Sequence, residues 1–256
     1  MGKLVLMRHG ESAWNAENRF TGWIDVGLNE SGRAEARHAG ALLVRAGLAP
    51  DIIHTSLLQR ASATAALVAE ACGRADIPVH RTWRLNERHY GALQGHDRTE
   101  ILTRVGPRQF DLWRRSYTAA PPPIDDEQFL AQSRDPRYAG LPPESLPRTE
   151  SLADVTERLL PYWRNTIQPD LATGQTVAVV AHGNSLRALI RLLDEPTDRE
   201  FMELNVPTGM PVVYDLDDTF RPVQRGGRYL DADAARTAIA AVARQGRTPA
   251  TTTGQD

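Results

Sequence analysis

Two imidazoles in this chain stand where a fold does chemistry. His9 follows the apolar run Leu4-Val5-Leu6-Met7 within Arg8-His9-Gly10, and His182 follows Val177-Ala178-Val179-Val180-Ala181 within His182-Gly183-Asn184. Each reads as a buried strand running directly into a functional loop. A neutral imidazole is a good nucleophile near pH 7 and takes a phosphoryl group onto a ring nitrogen once the charge on that group is neutralised. Arginine suits the neutralising task, because its planar fork grips phosphate oxygens in pairs and keeps its charge. Arg8 adjoins His9, and Arg60 lies near the start of an expected helix, where backbone N–H groups also favour anions. Gly10 and Gly22 let backbone approach a phosphate closely. In such a pocket His182 serves as a second donor to the transferring oxygens, stabilising charge as it spreads in the transition state.

Taken singly, each residue has a plainer reading. A lone histidine behind a strand is most often a polar residue satisfied at a loop edge, and a helix arginine is most often solvated. Only Lys3 is lysine among the 30 basic residues, so most of the arginines must lie at the surface. The weight rests on the two strand-to-histidine turns together. A metal site competes for histidine-rich loops, yet histidines 9, 38, 54, 80, 89, 96 and 182 form neither a His-x-His nor a His-Glu-x-x-His pair, so no metal is expected. Neither a Gly-x-x-x-x-Gly-Lys-Ser/Thr loop nor a Gly-x-Gly-x-x-Gly loop is present, which leaves nucleoside triphosphate and dinucleotide sites without support.

The elements that would position these residues alternate. A strand over residues 3–7 is followed by a helix capped by Asn29 or Ser31 and ended by Gly47. A strand over 51–55 and an alanine-rich helix over 57–72 repeat the unit, and 79–85 suggests another strand. From Asn86 to Glu150 the periodicity loosens into short helical pieces around Pro121-Pro122-Pro123 and Pro142-Pro143, the pattern of a lid or binding insertion. Thr149 or Ser151 caps a helix to about Ile167 with a kink at Pro161; then come a strand at 176–181, a helix over 186–193, a strand over 210–216 and an alanine-rich helix from Asp231. The tail from Gly246 to Asp256 is too polar to fold. The expectation is an α/β protein with a mostly parallel central sheet and helices on both faces. Ligands of such sheets bind beyond the carboxyl ends of the strands, so residues 9 and 182 can meet at one edge. Residues 1–230 are expected to form a single catalytic domain with a substrate-covering insertion at about 87–150, and 231–256 an added helix and tail.

At 256 residues with 41% hydrophobic and 24% charged residues, the chain can bury a full core in one or two domains. A formal charge of -2 gives no general attraction for nucleic acid or an anionic membrane, so any anion must be met locally. No apolar run reaches the ~20 residues of a membrane helix, and the stretch from Met1 to Met7 is too short and strand-like for a secretory signal. Cys72 is the single cysteine, which excludes a disulfide scaffold and fits a reducing cytoplasm.

Leu6-Met7-Arg8-His9-Gly10-Glu11-Ser12, with Trp14-Asn15 and Phe20-Thr21-Gly22-Trp23, resembles the N-terminal signature of the histidine phosphatase superfamily. Further blocks narrow the resemblance to the 2,3-bisphosphoglycerate-dependent phosphoglycerate mutase family. They are the stretch from Glu87 to Gly95, Trp113 to Tyr117, Thr149 to Leu152, Ala181 to Arg187, and Asn205 to Gly209. The matches run from about Leu4 to Leu216; the segment beyond Asp231 is unmatched.

The resemblance implies an isomerase of glycolysis and gluconeogenesis that interconverts 3-phosphoglycerate and 2-phosphoglycerate. It would work through a phosphohistidine at His9, with 2,3-bisphosphoglycerate as primer and intermediate and no metal. Glu87 then passes protons to and from substrate hydroxyls, with Arg8, Arg60 and His182 completing the catalytic set. Substrate contacts fall on Arg8, His9, Gly10, Glu11, Ser12, Asn15, Thr21, Gly22, Arg60, Glu87, Arg88, His89, Tyr90, Arg98, Arg114, Arg115, Gly183 and Asn184. By spacing alone Glu87 reads as a surface ion pair with Arg84 or Arg88, and Arg114-Arg115 as a solvated basic turn. Arg98 stands where the family usually has lysine, and arginine is bulkier and bidentate. A homo-oligomer, dimer or tetramer, is implied by the family only. Two alternatives remain: a bisphosphoglycerate synthase or phosphatase of the same superfamily, and a non-catalytic phospholigand-binding protein.

Overall fold

The computed structural model describes residues 2–244. In chain order the elements are β1 (Lys3–Arg8), α1 (Ala13–Ala16), α2 (Glu30–Arg45), β2 (Ile52–Thr55), α3 (Gln59–Ala71), β3 (Val79–Arg81), α4 (Arg98–Arg115), α5 (Asp126–Ser133), α6 (Leu152–Tyr162), α7 (Gln168–Ala172), β4 (Thr176–Ala181), α8 (Gly183–Asp194), α9 (Asp198–Glu203), β5 (Val212–Asp215), β6 (Arg228–Tyr229) and α10 (Ala232–Arg244). Among the described residues the strands form one six-stranded sheet in the order β3-β2-β4-β1-β5-β6. The β3-β2, β2-β4 and β4-β1 pairs are parallel, and β5 turns antiparallel against β1.

Strands β1 and β4 are buried on both faces, which is why their sequences are continuous apolar runs. Leu4 and Leu6 point into a core shared with Val177, Val179 and residues of α6, α7 and α8. Val5 and Met7 point the other way, into a core with Ala39 and Leu43 of α2 and Ala65, Val68 and Ala69 of α3. The α/β expectation with helices on both faces therefore holds. The β1–β4 register pairs Arg8 with Ala181, so the residues that follow, His9 and His182, emerge side by side at the carboxyl edge.

Several local elements differ from the sequence reading. Residues 98–115 form one long helix, α4, kinked at Gly106 (φ 76) ahead of Pro107; these two residues interrupt the apolar period that would have revealed it. As expected, Pro161 does not end its helix: α6 runs past it into a π-turn over Trp163–Ile167 and on into α7. The strand suggested at 79–85 is only three residues long. Helix α8 begins at Gly183, three residues earlier than its apolar pattern, with His182 as its N-cap residue. The tail from Gly246 lies outside the described residues.

Candidate active site

The two imidazoles meet. Their ring centroids are 5.0 Å apart at an interplanar angle of 62°. Both are buried. His9 N–H donates to Ala181 O at 2.9 Å, stitching the loop after β1 to the end of β4. The His9 Nδ1 lies 2.6 Å from Gly10 O, and a carbonyl can only accept, so Nδ1 carries the proton and Nε2 keeps its lone pair. Burial drives the His9 pKa well below its ordinary value; the Arg60 and Arg8 charges push the same way, against the Gly10 carbonyl. His182 is lowered in the same manner, by burial first and then by Arg60, His9 and Arg8. Both rings are thus neutral at pH 7.

Tight backbone turns hold the His9 loop. A Cβ on Gly10 would stand 2.1 Å from Gly32 O, so no larger residue fits. Gly22 adopts φ 55, and a Cβ there would meet the Gln94 side chain at 2.0 Å. Arg60 reaches back from α3 to donate to Gly22 O (2.7 Å) and Ile24 O (3.0 Å), so it shapes the Thr21-Gly22 turn as well as charging the pocket. Its desolvation lowers it to about 10.

Glu87 faces the histidines from the loop before α4. Its Oε1 accepts the N–H of Arg88 (2.8 Å) and that of Asn184 (3.1 Å), the latter in the first turn of α8, where the helix dipole favours a carboxylate. Its own carbonyl is fixed by Trp23 Nε1 at 2.6 Å and Arg158 Nη2 at 3.0 Å. Glu87 is buried here and makes no ion pair with Arg84 or Arg88 among the described residues, which removes the surface-pair reading.

A cavity brings most of the expected residues together. Arg8, His9, Asn15, Thr21, Gly22, Arg60, Glu87, Tyr90, Arg98, Arg114, Arg115, Gly183 and Asn184 all line it. The others lie behind that wall. Gly10 N–H binds Thr64 Oγ1, Glu11 braces Asn29, and Ser12 closes a capping box with Asn15. Arg88 stacks 4.5 Å over the Tyr90 ring, and His89 is held by Gln132 at 2.8 Å. His182 sits under the cavity at 0% exposure.

The lining also contains residues to which the sequence assigns no site role: Arg187, Asn205 and Val206, which lie in the resembling blocks, and Leu204 and Val242, which lie outside them. Arg187 follows Asn184 at i+3 on α8, the spacing that could have revealed it. Its Nη1 donates to Asn184 Oδ1 (3.0 Å), and Asn184 Nδ2 donates to Tyr90 OH (2.9 Å). Among the described residues six arginines and one carboxylate, Glu87, line the cavity. Burial, with repulsion from Arg115 and Arg98, lowers Arg114 to about 9; burial, with Arg115 and Arg88, lowers Arg187 to about 9. These cations are desolvated and repel one another, a situation that a multiply charged anion relieves. Arg8 Nε, Arg187 Nε, Thr21 Oγ1 and His182 Nδ1 are buried polar atoms with no hydrogen-bond partner among the described residues. A phosphate accepts from such donors. The same donor set is wrong for a cation, and no group of three or more His, Cys, Asp or Glu that could hold a metal occurs among the described residues.

A buried neutral imidazole with a free Nε2, a second imidazole beside it and an arginine-lined cavity at the carboxyl edge of a doubly wound sheet define a phosphohistidine-forming class of enzyme. The sequence matches the histidine phosphatase superfamily (branch 1) over residues 4–134 and 125–224, and the chain belongs to that superfamily. Within it, the chain is 58% identical over 245 residues to a 2,3-bisphosphoglycerate-dependent phosphoglycerate mutase of Streptomyces avermitilis, covering 96% of this chain and 97% of that one. A mutase of the same name from Thermobifida fusca is 56% identical over 247 residues, covering 96% and 100%. Among solved structures, Bacillus stearothermophilus YhfR superposes with a TM-score of 0.66 at 28% identity, over 90% of this chain and 99% of that one. A mycobacterial glucosyl-3-phosphoglycerate phosphatase in complex with VO3 shares the fold, with a TM-score of 0.68 at 24% identity, covering 90% and 97%.

Proposed function

We propose that this protein interconverts 3-phosphoglycerate and 2-phosphoglycerate as a 2,3-bisphosphoglycerate-dependent phosphoglycerate mutase. The observation that carries the reading is the His9 ring: neutral, with Nδ1–H committed to Gly10 O, so that Nε2 is the nucleophile inside an arginine cage. 2,3-Bisphosphoglycerate supplies the phosphoryl group that loads this nitrogen, and the unpartnered donors at Arg8, Arg187, Thr21 and His182 fit such an anion.

In the working cycle His9 Nε2 forms an N–P bond as the P–O bond of the donor breaks, and Glu87 protonates the oxygen that leaves. For transfer back, Glu87 takes the proton of the acceptor hydroxyl, the O–P bond forms and the N–P bond breaks. Arg8, Arg60 and His182 hold the three oxygens of the moving group. Arg98, Arg114 and Arg115 meet the far end of the substrate, where a carboxylate and a second phosphate need paired donors. Arg98 keeps the positive charge of the family's lysine, with its Nη1 at 3.5 Å from Asn18 Oδ1 and its guanidinium over the Phe20 ring.

A loaded enzyme must keep water away or it becomes a phosphatase. We assign that task to residues 87–150 as a cover on a catalytic domain spanning 1–230, with residues 231–244 closing one side. Arg98, Arg114 and Arg115 of α4 and Val242 of α10 on the cavity wall support this. The same reading implies a cytoplasmic enzyme and, by family resemblance, a homo-oligomer. No helix among the described residues is long and apolar enough to cross a membrane.

The test is incubation with 3-phosphoglycerate and a trace of 2,3-bisphosphoglycerate. The proposal expects 2-phosphoglycerate with little inorganic phosphate, and turnover that depends on the primer. Stoichiometric release of phosphate would identify a phosphatase, and binding without turnover a non-catalytic receptor.

A further inference from the structure

Ser56 stands outside every motif that the sequence reading drew on, yet its side chain touches the second histidine. It is the first residue past β2, and β2 lies beside β4 with Thr55 paired to Val180. Ser56 thus leaves β2 one position short of His182 along the neighbouring strand, and its Oγ lies 2.7 Å from His182 Nε2 with both side chains fully buried. Leu58 N–H already donates to Ser56 Oγ at 3.1 Å, where the chain enters α3 without a capping side chain of its own. The hydroxyl oxygen is thus partly occupied as an acceptor, and its hydrogen has His182 Nε2 as its partner among the described residues.

We infer that Ser56 is a positioning residue that fixes the tautomer of His182: Ser56 O–H donates to Nε2, the imidazole proton is confined to Nδ1, and Nδ1–H is the donor offered to a transferring phosphoryl oxygen. The inference rests on the mutase reading for its catalytic meaning. Which ring nitrogen of a neutral histidine bears the proton is set by the hydrogen bond that the other one makes. With Nε2 taken by a donor, Nδ1 must carry the hydrogen; the Ser185 N–H of the first turn of α8 approaches this side chain without a hydrogen bond to it, and Nδ1 has no hydrogen-bond partner among the described residues. The ring packs 5.0 Å from the His9 ring. Burial first, and then the Arg60, His9 and Arg8 charges, keep it neutral and so make the choice of tautomer decisive. The opposite tautomer would offer a phosphoryl oxygen a lone pair instead of a hydrogen, repelling the charge it should stabilise. His182 keeps its proton throughout, since it gives a hydrogen bond and transfers nothing.

The arrangement complements His9. There Gly10 O accepts from Nδ1 and frees Nε2 for attack; here Ser56 donates to Nε2 and protonates Nδ1. One carbonyl and one hydroxyl thereby make two neighbouring neutral imidazoles play opposite parts.

Two measurements test this. Nitrogen NMR of the 15N-histidine-labelled full chain reads the ring tautomer without turnover, with signals assigned through His182→Asn. The expected result is a protonated Nδ1 and an unprotonated Nε2 on His182. A protonated Nε2 in the wild-type protein would overturn the inference even if every variant failed to fold. In the second measurement, Ser56→Ala frees the tautomer while leaving the imidazole in place. Its kcat should fall about tenfold, less than the ~10²- to 10³-fold that outright loss of an oxyanion-stabilising donor costs. KM should stay within about twofold, and Ser56→Thr, which keeps the hydroxyl, should recover most of the rate. A folded Ser56→Ala variant with wild-type kcat, or one whose KM alone changes, would contradict it. Absence of mutase turnover in the wild-type protein would instead sink the functional reading and leave the tautomer result standing.

Discussion

Replacing Glu87 with Gln isolates proton transfer from every other contribution of the site. Glu87 Oε1 accepts two backbone N–H groups, from Arg88 at 2.8 Å and Asn184 at 3.1 Å, and an amide oxygen accepts both equally well. The Glu87 carbonyl stays clamped by Trp23 Nε1 and Arg158 Nη2, so the side chain has no reason to leave its place. What disappears is the group that shuttles a proton to and from the substrate hydroxyl. General acid–base contributions run to ~10²–10⁴ in rate, or about 3–5 kcal/mol of barrier. Glu87→Gln should therefore retain wild-type thermal stability and a KM for 3-phosphoglycerate within about threefold, while kcat drops by that factor. The assay is steady-state conversion of 3-phosphoglycerate to 2-phosphoglycerate with saturating primer, beside a thermal melt. A folded variant with kcat within about tenfold of wild type would refute the role of Glu87, and a large rise in KM alone would make it a binding group.

Three further outcomes follow from the same geometry. Arg158 pairs with Glu150 at 2.6 Å in a buried setting and donates to the carbonyls of Arg84, Asn86 and Glu87; Arg158→Met strands that carboxylate and should cost roughly 3–5 kcal/mol in urea unfolding, with part recovered by adding Glu150→Gln. A loss below about 1 kcal/mol would show the pair to be dispensable. Burial, then Arg60 and Arg8, depress His9, so the nucleophile stays unprotonated as pH falls through 6.5; rapid-quench rates of phosphoenzyme formation should show no His9 titration there, and a half-loss at about 6.5 that persists when substrate ionisation is accounted for would contradict the burial argument. His54, held by Asp170 at 3.0 Å and Tyr162 at 2.8 Å, is lowered to about 4, by burial foremost. Its stabilising effect is complete above its unfolded pKa of about 6.5 and is lost as pH falls toward about 4, by at most about 3 kcal/mol, so His54→Asn should flatten stability against pH across that window.

The parts of this protein that depend on chain-local pattern were readable from sequence. Apolar runs that end in Arg8-His9-Gly10 and His182-Gly183-Asn184 announced buried parallel strands, and the sheet rule placed both loops at one edge, where the ring contact is found. Glu87 was different: spacing alone favoured a surface ion pair, and only the resemblance assigned it to the pocket, where its carboxylate caps the first turn of α8. Other features depend on register between distant segments. Ser56 meets His182 because β2 happens to lie beside β4, a pairing across 126 positions that no local window carries. Arg158 is hidden by abundance, since in a chain with a single lysine no one arginine stands out until burial separates it from the solvated ones. Helix α4 has no continuous sequence signal because Gly106-Pro107 breaks its period at the middle, while its two ends deliver Arg98, Arg114 and Arg115 to the cavity.

The most direct test of the account is the identity of the phosphorylated atom. Incubation with 2,3-bisphosphoglycerate labelled in its phosphoryl groups, followed by quenching in base, proteolysis and mass spectrometry, should find one acid-labile, base-stable phosphate per chain on His9. His9→Ala should have neither that label nor mutase turnover. A label on any other residue, or retained turnover in His9→Ala, would contradict it.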